Sequence, residues 1–243
     1  MSILVTRPSP AGEELVSRLR TLGQVAWHFP LIEFSPGRQL PQLADQLAAL
    51  GESDLLFALS QHAVAFAQSQ LHQQDRKWPR LPDYFAIGRT TALALHTVSG
   101  QKILYPQDRE ISEVLLQLPE LQNIAGKRAL ILRGNGGREL IGDTLTARGA
   151  FCECYQRCAI HYDGAEEAMR WQSREVTTVV VTSGEMLQQL WSLIPQWYRE
   201  HWLLHCRLLV VSERLAKLAR ELGWQDIKVA DNADNDALLR ALQ

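Results

Sequence analysis

The chain repeats itself at half its length, and that narrows the folds open to it. Arg7, Glu13, Leu19 and Gly23 match Arg133, Glu139, Leu145 and Gly149 at a constant offset of 126. Ser60 and Val64 match Ser183 and Leu187 at an offset of 123. The stretch AIGRTTALALHTVSGQKILYPQDREISEVLLQL then aligns without a gap to VVSERLAKLARELGWQDIKVADNADNDALLRAL at 124. Three blocks in one order define two similar halves, roughly 1–118 and 127–242.

Within each half one rule recurs: an apolar strand, a small or polar turn, an amphipathic helix. Examples are SILVTRPSPAGEELVSRLRTLG, DLLFALSQHAVAFAQSQL, RALILRGNGGRELIGDTLTARG and TTVVVTSGEMLQQLWSLI. The strands are short Val-, Ile- and Leu-rich runs without alternation, as expected when both faces of a sheet are covered. Strands alternating with helices predict an α/β fold with parallel sheets. After the first helix of each half comes an extended segment, VAWHFPLIEFSPG or FCECYQRCAIHYDG, with Phe29 opposite Tyr155. Pro30 and Pro36 forbid a helix through the first. The two segments either pair with each other as a connector or add a strand to each sheet; periodicity does not separate these.

The 243 residues suit one large domain or two small ones, and 46% hydrophobic with 21% charged residues is ordinary for a globular protein. A net charge of −2 gives no basic field for nucleic acid. The amino terminus, MSILVTRPSP, has an apolar run too short for a signal peptide, and no run of eighteen apolar residues suits a membrane span. The expectation is a cytoplasmic protein with no membrane contact. Cys152, Cys154 and Cys158 cluster near His161 and invite a zinc reading, but no Cys-x-x-Cys pair occurs. Their shared parity places them on one strand face as small buried hydrophobes. No metal is expected.

Ligands of parallel α/β sheets bind beyond the carboxyl ends of the strands. The turns there are TRPSP, LSQHA, GRTTA, RGNGGRE, VTSGE and VSERL. Their Ser, Thr and Gly residues cap helix starts or leave N–H groups for a ligand. Arg7, Arg89, Arg133 and Arg138 add forks suited to carboxylates or phosphates. RGNGGRE is no nucleotide loop. A Walker loop needs Lys-Ser/Thr where Arg138-Glu139 stands, and a dinucleotide fingerprint from Gly134 needs glycine at 139. VTSGEM lacks a nucleophile elbow, and no histidine pair has zinc spacing on a helix. What remains is positioning and electrostatics, or plain binding. A non-enzymatic two-lobed binder of a small polyanion is the alternative reading.

The motifs ILVTRP, LLFALSQHAV, AIGRTTALAL, LRGNGGRE, CYQR, VVVTSGEM and SERLAKLARELG, spread over the whole chain, resemble those of the uroporphyrinogen-III synthase family. The resemblance implies two similar parallel-sheet α/β domains joined by a two-stranded β-ladder, with the active site in the inter-domain cleft. It implies residues 1–33 with 164–243 as one domain and 37–160 as the other, linked through about 30–37 and 154–163. The implied reaction cyclises hydroxymethylbilane to uroporphyrinogen III without a cofactor, by loss of the ring-A hydroxyl and inversion of ring D through a spiro intermediate.

Tyr155 matches the family's linker tyrosine and is the candidate proton donor to the departing hydroxyl; the competing reading is a strand tyrosine kept for packing. Substrate contacts are expected at Arg7, Ser60, Gln61, Gly88, Thr90, Thr91, Arg133, Gly134, Asn135, Gly136, Arg138, Thr182, Ser183 and Ser212. At Gln61–His62 and Glu213–Arg214 the chain departs from the common pattern, which favours backbone over side-chain roles at those turns. The partners implied are the small-molecule substrate and, as a candidate, the preceding enzyme of the pathway, for a monomer that binds no nucleic acid.

Overall fold

The structure, a computed structural model, describes residues 2–135, 141, 144–145 and 148–243. In chain order the elements are β1 (Ser2–Val5), α1 (Ala11–Thr21), β2 (Ala26–His28), β3 (Ile32–Pro36), α2 (Leu43–Ala48), β4 (Leu55–Ala58) and α3 (Gln61–Gln73). There follow β5 (Asp83–Ala86), α4 (Arg89–Ser99), β6 (Ile103–Leu104), α5 (Ser112–Leu115), β7 (Arg128–Gly134) and β8 (Arg148–Ala159). The chain closes with α6 (Gly164–Ser173), β9 (Val176–Val180), α7 (Gly184–Leu193), α8 (Gln196–His201), β10 (Arg207–Val210), α9 (Glu213–Leu222), β11 (Ile227–Val229) and α10 (Asn235–Leu242). They fall into two compact units, residues 1–33 with 158–243 and residues 34–157.

The first unit is a parallel sheet in the order β11-β10-β9-β1-β2. β1 joins β9, far along the chain, with Leu4 beside Val179 and Val5 beside Val180. Alternate strand residues feed opposite cores. Leu4, Val179, Leu208 and Val210 pack with Leu187, Leu190 and Trp224, whereas Ile3, Val5, Val180 and Leu209 pack with Leu15, Leu19 and Leu238. Helices on both faces explain why the central strands β1, β9 and β10 do not alternate apolar with polar residues. A cavity of about 750 Å³, lined in part by Ile3, Gln24, Thr178, His205 and Arg207, lies at the amino-terminal edge of these strands.

The second unit carries a six-stranded sheet in the order β3-β8-β7-β4-β5-β6. Under the half-length repeat β7, β8, β4, β5 and β6 correspond to β1, β2, β9, β10 and β11, so the two strand orders are the same, with β3 added at one edge. Leu56, Leu130, Leu132, Cys152 and Cys154 face Leu43, Leu47, Val64 and Leu71; Leu55, Phe57, Phe85 and Ile131 face Leu115 and Leu121. Cys152 and Cys154 are fully buried and Cys158 partly so. The two extended segments realise both options the sequence left open. β8 pairs in parallel with β7, with a register shift between Arg133 and Gly134, and its other neighbour is β3. Two bonds bracket that second ladder, Gly37 N–H to Cys154 O at 2.9 Å and Ile160 N–H to Leu31 O at 3.0 Å.

Asp54 ties the starts of β4 and β7 together. Its carboxylate accepts from Gly51 N at 2.7 Å, Arg128 N at 2.9 Å and Arg128 Nε at 3.2 Å. Burial alone would raise its pKa, but these donors and the Arg128 charge outweigh burial and hold it below the ordinary carboxylate value. A depressed folded-state pKa stabilises above the unfolded value and loses that stability as pH falls through the folded one. Asp54→Asn should therefore cost about 1–2 kcal/mol at pH 7, the margin between charged and neutral acceptors. Urea titrations at pH 7 and near pH 3 should show the gap narrowing; an equal gap at both would refute the assignment.

Candidate functional site

In a parallel sheet the chain leaves every strand at the same edge, so turns distant in sequence gather there. In the second unit that edge collects Ser60 after β4, Gly88 after β5, Gly134 and Asn135 at the end of β7, and Tyr155 on neighbouring β8. Ser60 is the N-cap of α3, in extended conformation, and its Oγ accepts from Ala63 N at 3.1 Å. The same hydroxyl donates to Tyr155 Oη at 3.2 Å.

Tyr155 is 9% exposed. Its ring is met edge-on by Phe34 at 5.6 Å and stacked by Phe66 at 6.0 Å, with His62 at 5.7 Å. A Cβ on Gly134 would overlap the tyrosine ring, so the ring seats itself where that glycine has no side chain. Asn135 fixes the same strand end by donating its N–H to Tyr155 O at 3.1 Å and accepting from Arg157 N at 2.6 Å. His62 lies against Phe34, ring centroids 4.0 Å apart. Burial, then the nearby Arg157 charge, lowers its pKa, so the imidazole is neutral at pH 7.

The start of α4 already holds a carboxylate. Gly88 is its extended N-cap, and Arg89 N donates to Glu110 Oε1 at 2.8 Å, with the Glu110 carboxyl against the Gly88 Cα. Thr91 is buried, while Thr90 and Gln61 are exposed. Arg133 lies over the Phe151 ring at 5.1 Å and its Nε donates to Gly134 O at 3.2 Å. Gly136 and Arg138 lie outside the described residues.

The first unit presents the corresponding edge. Ser183 caps α7 by accepting from Met186 N at 3.2 Å, and Ser212 caps α9 by accepting from Leu215 N at 3.2 Å. Thr182, next to Ser183, is half-buried. Arg7 follows β1 and donates from Nη1 to Asn235 Oδ1 at 2.7 Å, at the start of α10. Burial lowers its pKa, against the pull of Asp234 and Glu14; a guanidinium remains charged nonetheless.

The serines expected at strand ends, Ser60, Ser183 and Ser212, thus prove to be helix caps, while Tyr155, Ser60, Gly134 and Asn135 form one contiguous group. Phe34, His62, Phe66 and Glu110 were not foreseen. Only His62, two residues beyond the capping serine, carried a local signal. Among the described residues no group of three or more His, Cys, Asp or Glu could hold a metal ion, and no helix is long and apolar enough to cross a membrane.

Two parallel-sheet α/β units of matching strand order, each with capped helix starts at its carboxyl edge, define a doubled α/β protein built by repetition. The family model described as Uroporphyrinogen-III synthase HemD matches residues 13–240. The chain is 98% identical over 246 residues to the uroporphyrinogen-III synthase of Escherichia coli (strain K12), covering all of both chains. It is 83% identical, again over both full chains, to that of Salmonella typhimurium. A mutant uroporphyrinogen III synthase from the extremely thermophilic bacterium Thermus thermophilus superposes with a TM-score of 0.65, over 100% of this chain and 99% of that one. At 18% identity that likeness concerns the fold. This chain belongs to the uroporphyrinogen-III synthase family.

Proposed function

We infer that the chain is a cyclising lyase that closes hydroxymethylbilane to uroporphyrinogen III, with inversion of ring D and loss of water, in tetrapyrrole (haem) biosynthesis. The full-length match to relatives bearing that activity in their names carries the reading. The task suits the strand ends. A flexible polycarboxylate must be held folded with its reacting rings together, and orientation of this kind removes much of a barrier. The departing hydroxyl needs a proton, which Tyr155 supplies in this reading. Substrate carboxylates are taken up, in this reading, by turn groups at Ser60, Gln61, Gly88, Thr90, Thr91, Thr182, Ser183 and Ser212 and by Arg133, Gly134, Asn135, Gly136 and Arg138, with Arg7 as a further cation. We read 1–33 with 164–243 and 37–160 as the two domains, with linkers at about 30–37 and 154–163. The enzyme is taken to work as a cytoplasmic monomer, receiving substrate from the preceding enzyme of the pathway. Incubation with hydroxymethylbilane followed by separation of the isomers tests the activity: the inverted product should predominate. Only the uninverted isomer would reject it.

Glu110 allows a second test. If a substrate carboxylate docks at the start of α4, it must take the Arg89 N–H that Glu110 now holds. Glu110→Gln removes the competing charge but keeps the acceptor. It should lower KM about two- to fivefold at low ionic strength, the equivalent of roughly 0.3–1 kcal/mol at a helix end. The gain should shrink with salt. A raised KM would mean that Glu110 supports this turn instead.

A further inference from the structure

We propose that Ser60 is a positioning residue for Tyr155, its hydroxyl holding the phenol oxygen so that the phenol's own proton points to the substrate. The proposal rests on Tyr155 being the proton donor. A serine hydroxyl has one proton and accepts through its lone pairs. Here Oγ accepts from Ala63 N at 3.1 Å and gives its proton to Tyr155 Oη at 3.2 Å. Tyr155 then has no need of its own O–H to satisfy Ser60, and can spend it outward. The ring cannot swing away, being walled by Phe34, Phe66 and His62 and seated on Gly134.

The arrangement strengthens as the reaction proceeds. The proton passes from Tyr155 Oη to the leaving oxygen, the ring-A carbon–oxygen bond breaks with its electron pair, and water departs. The phenolate left behind accepts a charge-assisted bond from Ser60, beside the start of the thirteen-residue helix α3, whose dipole favours negative charge. It regains a proton when ring closure releases one from a pyrrole carbon. An interaction stronger after proton transfer than before it lowers the barrier and leaves binding alone.

Three variants separate this role from simple helix capping. Ser60→Thr keeps cap and donor and should retain kcat. Ser60→Asp keeps a cap acceptor but has no proton to give, so it should hold the melting temperature yet lower kcat about tenfold or more, with KM within about twofold. Ser60→Ala should lose both stability and kcat. In a Tyr155→Phe background, Ser60→Asp should leave kcat unchanged, because the group it serves is gone. A parental kcat in Ser60→Asp overturns the proposal. So does a loss that persists undiminished beside Tyr155→Phe, which would make Ser60 a direct substrate contact while leaving Tyr155 as the donor. A parental rate in Tyr155→Phe alone removes the donor reading, and this proposal with it.

Discussion

Tyr155→Phe should lower the rate of inverted-isomer formation by about 10²–10⁴-fold, the usual range for loss of a positioned general acid. Phe keeps the ring on Gly134 and its contacts with Phe34 and Phe66. Only the hydroxyl is lost, and its partner Ser60 stays bonded to Ala63 N and partly open to water. Stability should therefore change by less than about 1 kcal/mol. If the phenol merely orients the substrate, the loss should be nearer tenfold, about 1.4 kcal/mol of barrier. The assay must resolve isomers, because free hydroxymethylbilane also closes without inverting ring D, and total porphyrin would hide the defect. A well-folded variant forming the inverted isomer at the parental rate would exclude Tyr155 from the chemistry.

Gly134→Ala should be nearly as damaging, through geometry rather than chemistry. The added methyl would meet the Tyr155 ring, with Cζ, Cε2 and Oη its nearest neighbours. The ring has Phe66 and Phe34 against it, so it cannot yield without repacking. Overpacking of this kind costs about 1–3 kcal/mol of stability. It should also move Oη away from Ser60, and a displacement near 1 Å can cost about 10²-fold in rate. Thermal melts and isomer-resolved kinetics should both register it. A melting temperature and rate matching the parent would mean that the ring has room to shift, and that its seat on Gly134 is not required.

The strand–helix units were legible because local rules write them. Apolar runs without alternation mark strands covered on both faces, and Ser60, Ser183 and Ser212, read as turn residues, each cap the helix that follows. Parity alone put Cys152 and Cys154 on the core face. The repeat also foretold a sheet order that recurs, although not residue by residue. Gly23, with φ of 79°, follows α1, whereas its counterpart Gly149 lies within β8. A three-residue difference between the offsets marks where the two halves part.

The site was legible only in outline. Tyr155 came from a resemblance, and Ser60 and Gly134 from their places at strand ends. That Ser60 bonds to a residue 95 positions away, or that Gly134 is small because Tyr155 lies on it, leaves no trace in either segment. Glu110 at the start of α4 and Phe34 beside Tyr155 are equally silent. By itself, then, the sequence determined the α/β units, their doubling and the family. The tertiary structure decided that β1 joins β9, that β8 serves both β7 and β3, and that Phe34, Ser60, His62, Phe66 and Gly134 meet around one phenol. The physical reason is range. Helix starts and buried strands answer to neighbours within a few residues, while pairing and ring packing are settled by surfaces that meet only once the chain has folded.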